Sequence, residues 1–473
     1  MKIEQIYTGC LAQGAYYIQS ESEAVIIDPL REVQPYIDKA ERNGATIKYV
    51  FETHFHADFV SGHIDLAKET GAKIVFGPTA QPGFEAIVAS DGQEFKVGAI
   101  TFKLIYTPGH TMESSCFLLK DEDGKETALF TGDTLFIGDV GRPDLAQKLK
   151  ATLTQEVLAN HLYDSLHYKI MPLPGDIIIY PAHGAGSACG KNMSKETSDS
   201  LAHQKATNYA LKEGMSREEF VKEVLTGLTE PPQYFPLNVL MNIKGYESVD
   251  TVLKRGNQGL TPTAFEKAAN ETNALILDTR DARSFARVFI PNSISIGIDG
   301  NFAPWVGALI PDIKQQILLV VEPGRELEVI TRLARVGYDH AFGYLEGGMD
   351  AWIKAGKETD CIKSISTIEL TIILSTHEDN SIIDVRKKSE YNSEHVVGAE
   401  NVSLDYINES NGLLDKTKTY YVHCAAGYRS MIFISILKAR GYNNLIDIKG
   451  GFQAIKESGL LPTTEYICPT TLL

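Results

Sequence analysis

Positive charge is scarce in this chain: 45 lysines and arginines stand against 61 aspartates and glutamates, a net charge of −16 over 473 residues. A surface of that sign repels phosphate backbones and anionic headgroups, so no nucleic acid and no membrane is expected as a partner. Apolar runs of transmembrane length are missing too. The opening Met1-Lys2-Ile3-Glu4-Gln5-Ile6 has no basic and apolar leader pattern, and the expectation is a soluble, cytoplasmic protein. The six cysteines (Cys10, Cys116, Cys189, Cys361, Cys424 and Cys468) form no Cys-x-x-Cys pair and no disulfide framework. That usage suits a reducing compartment and leaves thiols for chemistry. One core does not grow to this length, and about three domains of roughly 150 residues each are expected.

What is present begins with Thr53-His54-Phe55-His56-Ala57-Asp58-Phe59, which follows the apolar run Tyr49-Val50-Phe51. Tyr106-Thr107-Pro108-Gly109-His110-Thr111 follows the strand-like Ile100–Ile105, and Leu129-Phe130-Thr131-Gly132-Asp133 ends another apolar strand. Tyr180-Pro181-Ala182-His183-Gly184 is the fourth such segment. A single histidine after a strand is more often a hydrogen-bonded structural residue than a ligand. Four ordered segments within roughly 130 residues, each ending a strand, read as one metal site.

The pattern His-x-His-x-Asp-His and the motifs after it resemble the metallo-β-lactamase superfamily, which implies an αββα sandwich over residues 1–235. In its two-metal hydrolases the closing histidine helps hold the second ion; here that position is Phe59. The resemblance therefore implies a single-metal member, with Fe(II), one per chain, on His54, His110 and Asp133, zinc being the alternative metal. Two imidazoles and a carboxylate with open positions make the donor set of non-haem iron oxygen chemistry. His56, Asp58 and His183 are expected to orient those ligands without binding the metal, and Asp58 could also help hold a weak second ion.

Glu230-Pro231-Pro232-Gln233-Tyr234-Phe235-Pro236 marks a domain exit, with a linker expected over 236–261 that carries a short helical piece near Val249–Lys254. Beyond it the chain repeats. Leu275-Ile276-Leu277-Asp278-Thr279-Arg280 returns as Ser381-Ile382-Ile383-Asp384-Val385-Arg386, 106 residues later, and Glu346-Gly347-Gly348 returns as Lys449-Gly450-Gly451. A period near 100 residues is a domain duplication, since solenoid units are shorter. Buried strands alternating with helices imply a parallel α/β sheet in each copy. The Asp-x-Arg after a strand and the Gly-Gly before a helix resemble rhodanese domains, over 262–360 and 362–473 including a tail.

The second copy contains Tyr420-Tyr421-Val422-His423-Cys424-Ala425-Ala426-Gly427-Tyr428-Arg429, a strand, a tight loop and a helix start. In rhodaneses such a Cys-x-x-Gly-x-Arg loop turns its N–H groups onto the sulfur, which favours thiolate and lets the cysteine carry sulfur as a persulfide. The resemblance makes Cys424 the nucleophile and Arg429 a fixed charge for the anion. The corresponding stretch of the first copy, Leu318–Leu327, has no cysteine, and Glu322 puts negative charge where the anion should sit, so that copy is expected to be structural or to dock. Cys189, six residues past His183, is either a small residue packed in a glycine-rich loop or a redox thiol beside the metal. Arg142, in Gly141-Arg142-Pro143-Asp144, is a candidate substrate anchor, although a surface arginine in a turn is commoner.

Together the segments resemble the persulfide dioxygenase–rhodanese fusion proteins. That resemblance implies oxidation of a small thiol persulfide by dioxygen to sulfite, with Cys424 passing sulfur to or from sulfite and thiosulfate. Glutathione, coenzyme A and similar thiols all remain as carriers, and a homo-oligomer is expected. Two rivals stand beside it: a thioester hydrolase of the glyoxalase II type, against which Phe59 counts, and a non-enzymatic sulfide-responsive sulfur carrier.

Overall fold

The computed structural model describes residues 1–145, 153–191, 193–228, 230–376, 381–409, 412 and 414–468. The end of the tail expected to close the last domain, 469–473, lies outside the described residues. The chain divides into two compact units, Met1–Val249 with Ala334–Gly337, and Asp250–Leu333 with Tyr338–Leu473. Among the described residues no helix is long and apolar enough to cross a membrane.

In the first unit two six-stranded sheets face each other. Strands Lys2–Thr8, Gln13–Ser20 and Glu23–Ile27 are antiparallel, and Thr46–Phe51, Lys73–Phe76 and Ile87–Val88 extend the sheet in parallel. The other sheet runs in the order Asp199–Ser200, Ile178–Pro181, Glu126–Gly132, Ser115–Lys120, Ile100–Tyr106, Glu94–Val97. Strand periodicity explains the layering, because successive side chains leave opposite faces. Tyr16, Ile18 and Phe51 meet Phe102, Phe117 and Phe130 between the sheets. Their neighbours Ala15, Tyr17 and Val50 turn outward onto Tyr36 and Leu66, from the helices Gln34–Arg42 and His63–Thr70. On the far side Leu118 and Leu129 pack on Leu162, from Gln155–Asp164, and Phe220, from Arg217–Leu225. The result is helix, sheet, sheet, helix, as expected.

The stretch expected as a linker is largely ordered into helices. Phe235–Lys244 is a helix of the first unit, and its Asn238, Val239 and Asn242 are buried. Gly259–Leu260 already forms an edge strand of the next sheet. Proline at the first turn had marked a helix start rather than a domain exit: Pro236 occupies that turn, where its missing N–H costs nothing.

The second unit contains the duplication. One five-stranded sheet has the order Gly259–Leu260, Ala341–Leu345, Ile317–Val320, Leu275–Asp278, Ile294–Ser295; the other repeats it with Ser364–Ile365, Leu445–Ile448, Tyr420–His423, Ser381–Asp384, Glu400–Asn401. All pairs are parallel. The repeat extends to side chains. Arg280 forks onto Asp278 and reaches the Val288 carbonyl at 2.8 Å; Arg386 forks onto Asp384 and reaches the Glu394 carbonyl at 2.7 Å.

Candidate metal centre and sulfur-transfer loop

Strand ends deliver the metal-capable side chains. His54 follows strand Thr46–Phe51, His110 follows Ile100–Tyr106, and Asp133 follows Glu126–Gly132. All three are at most 2% exposed, and one ligand atom of each lies within 4.8 Å of the others. His110 Nε2 is 3.4 Å and His54 Nε2 3.8 Å from Asp133 Oδ2. The outer nitrogens are engaged elsewhere. His110 Nδ1 bonds the Arg142 carbonyl at 2.9 Å and His54 Nδ1 meets Thr53 Oγ1 at 3.0 Å, which turns each Nε2 inward. Burial and the neighbouring histidines hold His54 well below the usual imidazole range, so it presents a lone pair. Both Asp133 oxygens are buried without a hydrogen-bond partner. A buried carboxylate in that state costs several kcal/mol unless a cation meets it, so the residues fit a metal ion.

His56, Asp58 and His183 converge in the same way beside this triad, again within 4.8 Å. His183 Nε2 is 3.5 Å from Asp58 and 3.6 Å from Asp133. His56, however, has its Nε2 at 3.1 Å from Asp28 and 3.5 Å from Glu52. Burial lowers its basicity, but those carboxylates outweigh burial and hold it well above the ordinary range. Phe59 is fully buried and stacks on the His56 ring at 4.3 Å, filling the place of the superfamily's closing ligand.

Cys189 is 1% exposed and groups with Asp133 and His183, so the thiol does reach the metal pocket. Burial and the Asp58 and Asp133 carboxylates push it well up, holding it as the thiol. Arg142 is not placed to anchor a substrate. Its guanidinium is 4% exposed and forks onto Asp144 at 2.7 and 2.6 Å, with a further bond to the Ala188 carbonyl at 3.3 Å. Its backbone carbonyl orients His110. A turn arginine with an acid two residues on satisfies itself locally.

Other residues of the site carried no motif. Asn242 donates to the His56 and Phe59 carbonyls at 2.8 Å each and accepts from the Ser61 N–H at 2.9 Å. Glu52 accepts the Ser61 hydroxyl at 2.5 Å and faces His63 at 3.5 Å; Asp28 takes the N–H and hydroxyl of Thr53, both at 2.8 Å. Only Asp28 offered a signal, an acid closing the apolar strand Ala24–Ile27.

In the second unit Cys424 ends strand Tyr420–His423 and is 1% exposed. The chain then turns so that the Gly427 N–H donates to its sulfur at 3.1 Å. Gly427 takes a φ of +106°, which glycine adopts without strain, and caps the helix Tyr428–Ala439. Arg429 lies on the first turn of that helix, but Glu390 binds it through both oxygens at 2.6 and 2.8 Å. Its charge is therefore balanced within the protein. The first copy's corresponding loop has exposed Glu322, and its Arg325 pairs with Asp299 and Glu328.

Comparison with known proteins agrees with this architecture. Residues 8–183 match the metallo-β-lactamase superfamily, and 261–355 and 371–458 match the rhodanese-like domain. The chain is 30% identical to a metallo-β-lactamase from Staphylococcus aureus whose crystal structure covers 73% of it, and it covers 98% of that chain with a TM-score of 0.62. It thus belongs to the metallo-β-lactamase superfamily, with two rhodanese-like domains following the metal-binding fold. It is also 34% identical over 169 residues to a hydroxyacylglutathione hydrolase of Francisella tularensis, 36% of this chain and 61% of that one. A probable hydroxyacylglutathione hydrolase of Schizosaccharomyces pombe is 29% identical over 204 residues, 42% of this chain and 74% of that one. The chain thus spans about 61% of the length of the first of these hydrolases.

Proposed function

We propose that this protein oxidises the persulfide of a small thiol with dioxygen and couples that reaction to sulfur transfer through Cys424. The observation that carries it is one buried triad of His54, His110 and Asp133, with Phe59 where a second ion's ligand would be, in the same chain as a cysteine cradled by the Gly427 N–H. Iron(II) held by that triad would supply open positions for a persulfide anion and dioxygen side by side. One persulfide anion, one dioxygen and one water become one thiol, one sulfite and one proton.

The chain's own residues shape that reaction. Arg142 and Thr53 fix the two imidazoles, and Asp28 and Glu52 hold His56 by its Nε2. At Cys424 the thiolate attacks the outer sulfur of a second persulfide. The S–S bond breaks, the small thiolate leaves and takes a proton, and Cys424 is left as a persulfide. Sulfite then attacks the outer sulfur, giving thiosulfate and restoring the cysteine; the reverse sequence makes persulfide from thiosulfate.

A second reading is favoured by one observation: His56, Asp58 and His183 also converge, as a second metal position requires. A thioester hydrolase would use both ions. The test is oxygen uptake and sulfite release by iron-loaded protein given glutathione or coenzyme A persulfide, beside hydrolysis of lactoylglutathione. Uptake that His110→Ala abolishes while Cys424-dependent sulfur transfer persists is the expected result. Thioester cleavage without uptake of oxygen would overturn it in favour of the hydrolase.

A further inference from the structure

Beside the Cys424 loop, within the second unit, lies a cavity of about 1030 Å³ that the two rhodanese-like copies build together. Gly427, Tyr428 and Lys449 line it from the copy with the cysteine; Arg283 and Arg287 line it from the copy without one, and Cys361 from the chain between them. The copies are fastened at this place. The Tyr428 hydroxyl donates to the Gly297 carbonyl at 2.7 Å, and the Ser295 N–H donates to Ser435 Oγ at 2.9 Å.

The size of this space does not suit thiosulfate or sulfite, which would fill a small part of it. A cleft of this order has room for a whole drug-sized molecule. Its cations are not locked in salt bridges: among the described residues Arg283, Arg287 and Lys449 make none, Arg287 bonds only the Ser284 hydroxyl, at 3.1 Å, and the acids that act on Arg287 and Lys449 are Asp281 and Asp447 of the same lining. Three cations of the lining outnumber its two acids, and both acids also hold bonds within the protein. Asp281 accepts from the Arg283 and Ser284 N–H groups at 2.9 and 3.1 Å, and Asp447 accepts the Ser430 hydroxyl at 2.9 Å. Arg429 adds no net charge, since Glu390 balances it.

We infer that this cavity binds the acidic body of the thiol that gives sulfur to Cys424 or takes it, with Arg283 and Arg287 of the cysteine-free copy receiving its carboxylates or phosphates. The inference rests on the sulfur-transfer reading of Cys424 and gives the degenerate copy a task. It supplies the charge that Arg429, paired with Glu390, does not. Carboxylates and phosphates suit the same arginine forks, so a tripeptide thiol and a nucleotide thiol share the chemistry.

Two readouts on the full chain test it. Cys361 is exposed and lines the cavity, so its alkylation by iodoacetamide, mapped by mass spectrometry, reports occupancy. S-methylglutathione or S-methyl-coenzyme A should slow that alkylation several-fold, and Arg283→Ala/Arg287→Ala should remove the protection. Protection by one probe alone identifies carboxylate or phosphate as the group bound. The other readout is sulfur transfer from thiosulfate to an acceptor thiol. Each arginine lost should raise the KM for an acidic thiol about tenfold, the equivalent of one charged hydrogen bond, with little change in kcat. The KM for neutral mercaptoethanol should rise much less. Unprotected Cys361 with both probes, protection that survives in the double variant, or equal KM changes for acidic and neutral thiols would overturn the inference. Wild-type protein with Cys361 protected but no Cys424-dependent transfer would instead refute the function proposed for Cys424.

Discussion

Asn242, 186 residues from His56 in sequence, holds the metal-site loop from a helix that begins at Phe235. It is 1% exposed and bonds three backbone groups of one short segment, the carbonyls of His56 and Phe59 and the N–H of Ser61. Asn242→Ala leaves all three without that partner. A buried polar group left unpaired costs about 1–3 kcal/mol, so the three together destabilise the loop by at least about 3 kcal/mol. Against a domain stability of about 5–15 kcal/mol, that suffices to open the loop without unfolding the sandwich. The Ser61 amide should then lose at least about a hundredfold of its hydrogen-exchange protection, since each 1.4 kcal/mol is tenfold. Metal content should fall with it, because His54 begins the same segment. Asn242→Asp separates the contributions: it keeps an acceptor for the Ser61 N–H but sets a carboxylate against two carbonyls, so it should bind metal no better than the alanine variant. Full metal occupancy in Asn242→Ala, with Ser61 protection within about threefold of wild type, would refute the reasoning.

Gly141→Ala should empty the metal site and spare Cys424, because a Cβ there would lie 1.9 Å from the Asp133 carbonyl oxygen and 3.0 Å from His110 Nδ1; overpacking of this kind costs about 1–3 kcal/mol or more, and metal analysis beside a sulfur-transfer assay would show it. Phe59→His restores the superfamily's closing ligand next to Asp58 and should raise bound metal from one equivalent toward two, read by elemental analysis; an unchanged ratio would show that more than this side chain limits the site. The Glu390–Arg429 pair should fail in acid. Burial raises the Glu390 carboxyl, but Arg429 outweighs burial and holds it below its ordinary 4.5, so the stabilisation is present above that pH and is lost as pH falls through the lower folded value. Glu390→Gln should remove that acid-limb loss from the melting profile of the protein, and an unchanged profile would count against the pair.

The sequence by itself determined the elements and the residues at their ends. Alternating apolar runs make strands, and a strand must end at the rim of its sheet, so His54, His110, Asp133 and Cys424 were legible as rim residues before any contact was known. The duplication was legible because Asp278–Arg280 and Asp384–Arg386 satisfy each other within three residues. The absent ligand at Phe59 and the absent cysteine of the first copy were legible for the same local reason.

Tertiary structure decided which partners those residues meet. Asn242 sits in a stretch whose prolines read as an exit, and only the return of its helix to the loop gives it three backbone partners. Arg142 and Arg429 read as charges for substrate, but each is matched inside the fold, Arg142 by an acid two residues away and Arg429 by Glu390 from another helix. Arg283 and Arg287 carry the opposite lesson: no motif marked them, and they belong to the copy without the cysteine. Packing of the two copies leaves them without a salt bridge, among the described residues, in the cleft beside the Cys424 loop. Local pattern fixes where a side chain begins; which charges are neutralised depends on what the fold brings within a few ångströms, and that is set by contacts between segments far apart in the chain.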